Sequence, residues 1–571
     1  MKFFSLVATC CLLTGSLEAQ TGPVGDAPTN PALAASAWPN YHGGPARQAS
    51  SDLPGPTITG NAQLRFFSDD PGFNLGTSPW HNVSDRTYTD SSSARTIWGS
   101  SLTHVYKFVA DGDRFAYVDS WRVHDIPAFI AWNFAMLPGG RVLVPAPNGM
   151  QSRQERGRPS FRRCTSTRNG RTFLGDSAAL FVFSDGAESG SKITCEKRFE
   201  IRRDHLRQAC GLSARPSQDQ IVFGGTAVGT DVLYNGDIAI RVRVNETIGD
   251  AQTRATYLAV LDASLDDTAA STYRACERLP GETTNGVALL PEPEDGTRLY
   301  LPTESGITEA IYSPAESRLE VTGAKEFTYR AGRTGTTPTI LFGSDGTEWL
   351  LTIDAKCAVS DVFTGTIGCE GGQDPESLAP SRLVAFQLPF EGLTSDQIVT
   401  RAADLPVFVN TVENSPSVAG EDIALANYAG YFPRTTFVLS DDEGRETETA
   451  SDDLQRGVVK LSYRPSDSEP GSFAVDWERE DLQFNGVLTI SAGSRAVYGS
   501  GARPDGERLI SSYYGLDLDT GSTLFKTNLG PAESSSRFRR DEIFDQGNAN
   551  ILLDDGSIIF AGGRVLVRIR D

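Results

Sequence analysis

Five asparagines introduce short apolar runs at Asn133, Asn285, Asn414, Asn485 and Asn548. Each run passes through a Gly-containing turn into a second apolar run, as in Asn133-Phe134-Ala135-Met136-Leu137, then Pro138-Gly139-Gly140, then Arg141-Val142-Leu143-Val144. If these runs are equivalent strands, the five side-chain amides gather at one rim. Such a ring could bind a small polar or glycan ligand. Its oxygens also suit a hard cation such as Ca2+, which takes six to eight oxygen ligands. Asn285 and Asn414 with the carboxylate Glu413 form the candidate metal set. The plainer role also stays open, since Asn at a strand start hydrogen-bonds the entering backbone. Among the five histidines, His124 is the one placed for acid–base work, just ahead of the Asn133 run. The His205 run, Arg202-Arg203-Asp204-His205-Leu206-Arg207, offers an anion-binding alternative to solvated surface charge.

The elements that must position these residues are strands. From about residue 95 the chain is a succession of short β-like runs broken by Gly, Asp and Pro turns, with no sustained 3.6-residue period. Weaker copies of the strand–turn–strand unit lie near Gln220 and from Thr336 to Gly346, and another starts near Ala94. The copies repeat at roughly 50 to 80 residues, which a four-stranded propeller blade with long loops would fill. The expected fold is all-β: a single β-propeller of seven or eight four-stranded blades, eight preferred. The chain ends in the apolar run Val565–Ile569, so an N-terminal strand should complete the last blade and close the ring.

Length and charge bound the rest. The 571 residues include 52 basic and 73 acidic ones, a net charge of −21, which disfavours nucleic acid and anionic membranes as partners. Met1–Ala19 reads as a secretory signal, residues 20–60 as an extended arm and 61–571 as the propeller. Neither the signal's apolar run nor any other is long enough to span a bilayer, so the mature chain is expected to be secreted, extracellular or periplasmic, with no membrane span. The remaining cysteines are expected to pair in order, Cys164–Cys195, Cys210–Cys276 and Cys357–Cys369. Asn82 and Asn245 stand in glycosylation sequons. The oligomeric state has no signature.

The segment Tyr513-Tyr514-Gly515-Leu516-Asp517-Leu518-Asp519-Thr520-Gly521-Ser522-Thr523-Leu524-Phe525 resembles the blade repeat of quinoprotein alcohol-dehydrogenase-like propellers. Trp38-Pro39-Asn40-Tyr41-His42-Gly43 resembles the segment that opens many of those chains. Asn285-Gly286-Val287-Ala288-Leu289 with Leu299-Tyr300-Leu301 resembles a strand motif of gluconolactonase and strictosidine-synthase-like propellers, in which the Asn often ligates a channel cation. These resemblances imply a propeller. They also supply the enzymatic alternatives, a cation-dependent hydrolase or a quinone-dependent oxidoreductase. Quinoproteins carry an adjacent Cys pair, and none survives here once the signal with Cys10 and Cys11 is removed, so pyrroloquinoline quinone is not expected. A structural or adhesive module is the third reading.

Overall fold

Strands such as Ala179–Ser184 and, within Glu348–Asp354, the stretch Trp349–Ile353 are apolar on both faces, and such strands need cover on both sides. Tyr300 packs towards one neighbouring sheet while Leu299 and Leu301 pack towards the other, the alternation that a pleated strand imposes. Stacking sheets radially around an axis satisfies every strand at once. The computed structural model does so with eight blades among the described residues. These are residues 27–571 except 37, 41–42, 59–60, 68–79, 101–103, 123–133, 147–166, 169–170, 173–178, 202, 213–220, 224–229, 249–250, 267–268, 282–285, 304–305, 328–336, 355–356, 362–365, 370–380, 391–397, 406–414, 427–435, 441–445, 451–457, 467–470, 480, 483–486, 506–507, 531–549 and 563–564.

Blade 1 comprises Trp80–Val83, Arg95–Ser100, His104–Asp111 and Arg114–Arg122. Blade 2 comprises Ala135–Leu137, Arg141–Ala146, Ala179–Ser184 and Thr194–Glu200. In blade 3, Ile221–Phe223 and Thr230–Val232 share the inner edge of Ile238–Ile248, followed by Ala251–Leu261 and Tyr273–Arg278. Blade 4 is Ala288–Glu292, Gly296–Thr303, Gly306–Ser313 and Arg318–Glu326. Blade 5 is Thr339–Phe342, Glu348–Asp354, Ser381–Gln387 and Ile398–Leu405. Blade 6 is Ser417–Ala419, Asp422–Ala426, Val458–Arg464 and Ser472–Arg479. Blade 7 is Thr489–Ser491, Ala496–Asp505, Arg508–Asp517 and Thr523–Gly530. Blade 8 is Ile551–Leu552, Ile558–Gly562 and Val565–Arg570, with Asn61–Phe67 as its outermost strand. The two ends of the chain thus close the ring, as expected.

Blade 1 starts earlier than the sequence reading placed it. The run from Arg95 is its second strand; the innermost is Trp80–Val83, separated from it by an eleven-residue connection, 84–94, that hides the hairpin. A helix the β-like texture does not announce, Arg203–Cys210, follows blade 2. The wide spacing of blades 5 and 6 has a structural cause. Each carries a hairpin after its second strand, Cys357–Asp361 with Thr366–Cys369 and Thr436–Ser440 with Glu446–Ala450. The two hairpins join by parallel pairing of Ile367 with Leu439 and Gly368 with Ser440.

The core is divided into wedges between adjacent blades. Trp98, Trp121, Met136 and Phe183 fill the wedge between blades 1 and 2; Trp349, Leu351, Leu425 and Tyr463 fill that between blades 5 and 6. Fully burying side chains of this size contributes about 1.5–3 kcal/mol each. Polar ties lie along the seams. Tyr88 donates to Asp185 at 2.6 Å, Tyr312 to Asp237 at 2.7 Å and Tyr463 to Asp345 at 2.8 Å, each linking two blades.

Cys210 at the end of the helix is disulfide-bonded to Cys276 on the outer strand of blade 3, across 66 residues of sequence. Cys195 is also disulfide-bonded, while Cys164 lies outside the described residues. Cys357 and Cys369 occupy directly opposed register positions. Closing so long a loop restricts the unfolded chain. Replacing Cys210 and Cys276 together by Ser is expected to lower the free energy of unfolding by about 2–4 kcal/mol, read from denaturant titration.

Candidate functional site

The asparagine set and its neighbours, Asn133, Asn285, Asn414, Asn485, Asn548, Glu413 and His124, lie outside the described residues. The runs that the five asparagines introduce are all innermost strands, Ala135–Leu137, Ala288–Glu292, Ser417–Ala419, Thr489–Ser491 and Ile551–Leu552. Among the described residues no group of three or more His, Cys, Asp or Glu is arranged to hold a metal ion. His205 sits on the helix Arg203–Cys210, with its ring edge-on to Tyr273 at 6.2 Å. Asn82 is buried, and its Nδ2, the atom a glycan would occupy, donates to the Phe134 carbonyl at 3.0 Å. Asn245 lies within the strand Ile238–Ile248 of blade 3.

What the described channel does contain is the chain's own N-terminal segment. An innermost strand is paired on one side only, and its other edge faces the axis with unpaired N–H groups. Residues between Trp38 and Ser51 supply carbonyl oxygens to these groups blade by blade. The N–H of Met136 donates to Pro39, that of Val83 to Trp38, that of Leu289 to Pro45 and that of Ile340 to Ala46. The N–H of Val418 donates to Gln48, that of Ile490 to Ala49 and that of Ala492 to Ser51, at distances from 2.7 to 3.1 Å across the whole set. In a regular extended chain successive carbonyls point to opposite sides. Arg47 and Ala49, both left-handed with φ of 59° and 50°, turn the carbonyls so that four of five consecutive residues serve blades 4, 5, 6 and 7 in order. Left-handed backbone at a non-glycine residue costs on the order of 1 kcal/mol, which the pairing of otherwise orphaned donors offsets.

Side chains reach the other blades. Asn30 Nδ2 donates to the Val232 carbonyl of blade 3 at 2.7 Å. The Arg47 guanidinium forms an ion pair with Asp231 of the same blade and donates through Nε to the Val287 carbonyl of blade 4 at 2.8 Å. Thr57 N–H and Ile58 N–H donate to the carboxylate of Asp571, which follows the last strand of blade 8. The segment therefore touches all eight blades.

Beside this segment, where the inner strands of blades 1 and 8 finish, lies a cavity of about 850 Å3. One wall is the N-terminal segment, including Pro28, Pro31, Pro39 and Pro45; the other includes Asp85, Arg86, Arg95 and Asp554. These charged groups are held before any ligand arrives. Asp85 accepts N–H from Gly139 and Gly140, the latter at 3.0 Å. Arg95 Nε donates to Asp554 at 2.9 Å. Arg86 Nε lies 2.8 Å from the buried Asp185 carboxylate, and its Nη2 donates to the Gly139 carbonyl. Asp185 also accepts from Tyr88 and from Ser84. Burial raises the Asp185 carboxyl above the ordinary carboxylate value, against the opposing hydrogen bond from Tyr88 and the charge of Lys107. Lys107, buried behind it, donates to the carbonyls of Asp185 and Ser191 at 2.7 and 2.9 Å. Burial brings its ammonium down to about 8.

Sequence reasoning missed the buried charges of blade 3, Asp231 and Arg241, although signals for them were present. Ile238-Ala239-Ile240-Arg241-Val242-Arg243-Val244 places arginines inside an apolar strand, and Asp231 sits next to Val232-Leu233 in another. A charge inside a buried strand demands a counter-charge.

No family model matches the chain, and no curated protein matches it. Among solved structures it is similar to the Dos1 propeller, at 8% identity over 89% of this chain and 94% of that one, with a TM-score of 0.37. It is also similar to a candidate 6-phosphogluconolactonase from Bacteroides fragilis, at 11% identity over 81% and 96% of the two chains, with a TM-score of 0.33. Dihydro-heme d1 dehydrogenase NirN in complex with DHE matches at 10% identity over 85% and 79%, with a TM-score of 0.36. At these values the likeness concerns the fold alone, and no family match extends it to the quinoproteins.

Two outcomes follow from the charges. In the unfolded chain Lys107 stays protonated up to its ordinary value of 10.5, whereas in the fold it loses its proton from about 8. Between those values the unfolded state binds more protons, so this lysine adds stability as pH rises from about 8. The difference in denaturation midpoint between the native chain and Lys107→Met should therefore change from about pH 7.5 to about pH 9.5 in favour of the native chain. Separately, Asp231→Asn strips the counter-charge from Arg47 and Arg241 at once and should cost about 3–5 kcal/mol. Arg47→Met leaves Asp231 beside Arg241 and should cost less, an ordering that paired denaturation curves will read.

Proposed function

We propose that this chain is an exported eight-bladed propeller that binds a small polar ligand, of glycan type, in the cavity walled by its own N-terminal segment. The cavity carries the proposal: about 850 Å3 falls inside the range of small-molecule sites, roughly 300–1,000 Å3. Its chemistry favours a neutral, hydroxyl-rich ligand. Arg95 is balanced by Asp554 and Arg86 by Asp185, and the Asp85 carboxylate that remains disfavours an anionic ligand while it can accept from a hydroxyl. A planar guanidinium donates to sugar hydroxyls, a carboxylate accepts from them, and the proline rings of the opposite wall offer apolar surface to a sugar face. Export rests on the Met1–Ala19 signal and agrees with the Cys210–Cys276 disulfide, which persists in oxidising compartments. In this reading the N-terminal segment up to about residue 60 is a built part of the site.

The test is a glycan array on the mature chain, followed by calorimetry with the best binder. Arg95→Ala and Asp85→Asn should each weaken binding about tenfold or more, equivalent to roughly 1.4 kcal/mol, while the melting temperature moves little. A chain that binds no glycan on the array, yet gains stability from calcium in a way that Asn285→Ala and Asn414→Ala abolish, would overturn this site. It would assign binding to the Asn-led strand starts.

A further inference from the structure

Arg241 occupies the second strand of blade 3 at the gap between Ile221–Phe223 and Thr230–Val232, where the inner edge passes from one short strand to the next. It is fully buried, at 1% exposure, and among the described residues none of its three guanidinium nitrogens has a hydrogen-bond partner. Its one counter-charge is shared. Asp231 Oδ1 is taken by Arg47, and Oδ2 lies 3.8 Å from Arg241 Nη2, beyond hydrogen-bond reach. Asp231 and Arg47 are the charged groups acting on Arg241, so two buried cations face one buried anion. Burial accordingly pushes the guanidinium down to about 10, with Arg47 adding to the effect and Asp231 opposing it.

A second buried group points the same way. Thr256 opposes Arg243 in the strand register, and Leu258 opposes Arg241. Residues two apart share a face, so Thr256 and Arg241 lie on the same side of blade 3. That side is the one on which Leu258 packs against Leu289 and Leu299 of blade 4. The Thr256 hydroxyl is buried and, among the described residues, likewise has no hydrogen-bond partner. Unfilled donors of a buried guanidinium and a buried hydroxyl, in a locus carrying one excess positive charge, are what an anion would complete.

We propose that a small monovalent anion, a halide or a carboxylate, binds between blades 3 and 4 at Arg241, with Thr256 as a neutral donor. This ion is separate from the glycan-type ligand and does not rest on that reading. It neutralises the excess charge of the Arg47–Asp231–Arg241 cluster and so helps fasten the N-terminal segment into the ring.

Melting of the full mature chain is followed while sodium sulfate is exchanged for sodium bromide, chloride or acetate at constant ionic strength. Crystals of the unaltered chain soaked in bromide are examined for anomalous scattering. The expected results are a saturable rise in melting temperature with at least one monovalent anion, its loss in Arg241→Met, and a bromide peak against the Arg241 guanidinium. A response to acetate with none to halide would assign the site to a carboxylate; a response to bromide and chloride would assign it to a halide. Melts that are identical in all four salts, with no bromide at Arg241, would overturn the proposal. The melts and diffraction of the unaltered chain stand even if Arg241→Met fails to fold.

Discussion

Eight sheets arranged around an axis leave eight strand edges facing one another across a space too narrow for a further sheet. Their N–H groups cannot be left without acceptors where water is excluded. In this protein the N-terminal segment provides those acceptors, carbonyl by carbonyl, and the rest of the architecture is arranged around that requirement. Arg47 and Ala49 adopt left-handed backbone because a regular strand could serve only alternate neighbours. The cavity exists because the segment fills the channel incompletely, leaving space beside blades 1 and 8.

The electrostatics follow from the same arrangement. A segment drawn from one end of the chain brings Arg47 into an interior where Asp231 must answer it, and Arg241 shares that single carboxylate. At the rim, by contrast, Arg95 and Asp554 form a partly exposed pair, and such a pair contributes about 0–1 kcal/mol. The interior cluster therefore weighs more on stability than the rim pair does. The Tyr–Asp ties along the seams join neighbouring blades through a neutral hydroxyl that donates to a carboxylate.

The strands were legible because burial on both faces leaves runs such as Ala179–Ser184 almost wholly apolar, and the turns carry glycine and aspartate. Ring closure was legible from the unpaired C-terminal run. The start of blade 1 was not, because its 84–94 connection breaks the strand–turn–strand spacing that identified the other copies. Nor was the helix Arg203–Cys210, too short to build a 3.6-residue pattern and led by three charged positions in its first five residues. The path of the N-terminal segment was the least legible feature. Its bonds are made mostly by backbone carbonyls, which every residue possesses, so composition shows only prolines, alanines and glycines. The cavity charges were hidden for a related reason: Asp85 and Asp554 lie in connections between strands and Arg95 at the first position of a strand, where charged residues are ordinary.

The threaded segment also sets an order of events. The N-terminal segment leaves the ribosome early, yet its partners in blades 7 and 8 are made last. At about 5–20 residues per second, the first carbonyls wait roughly half a minute to two minutes for their final partners. During that time seven blades can stack only as an open arc with two exposed sheet ends, a sticky intermediate at high concentration. Completion then joins contacts some five hundred residues apart, at about the longest sequence separation this chain allows, so the last step of folding is also its slowest by topology. A protein built this way gains an interior lock and accepts, in exchange, a long interval in which that lock hangs open.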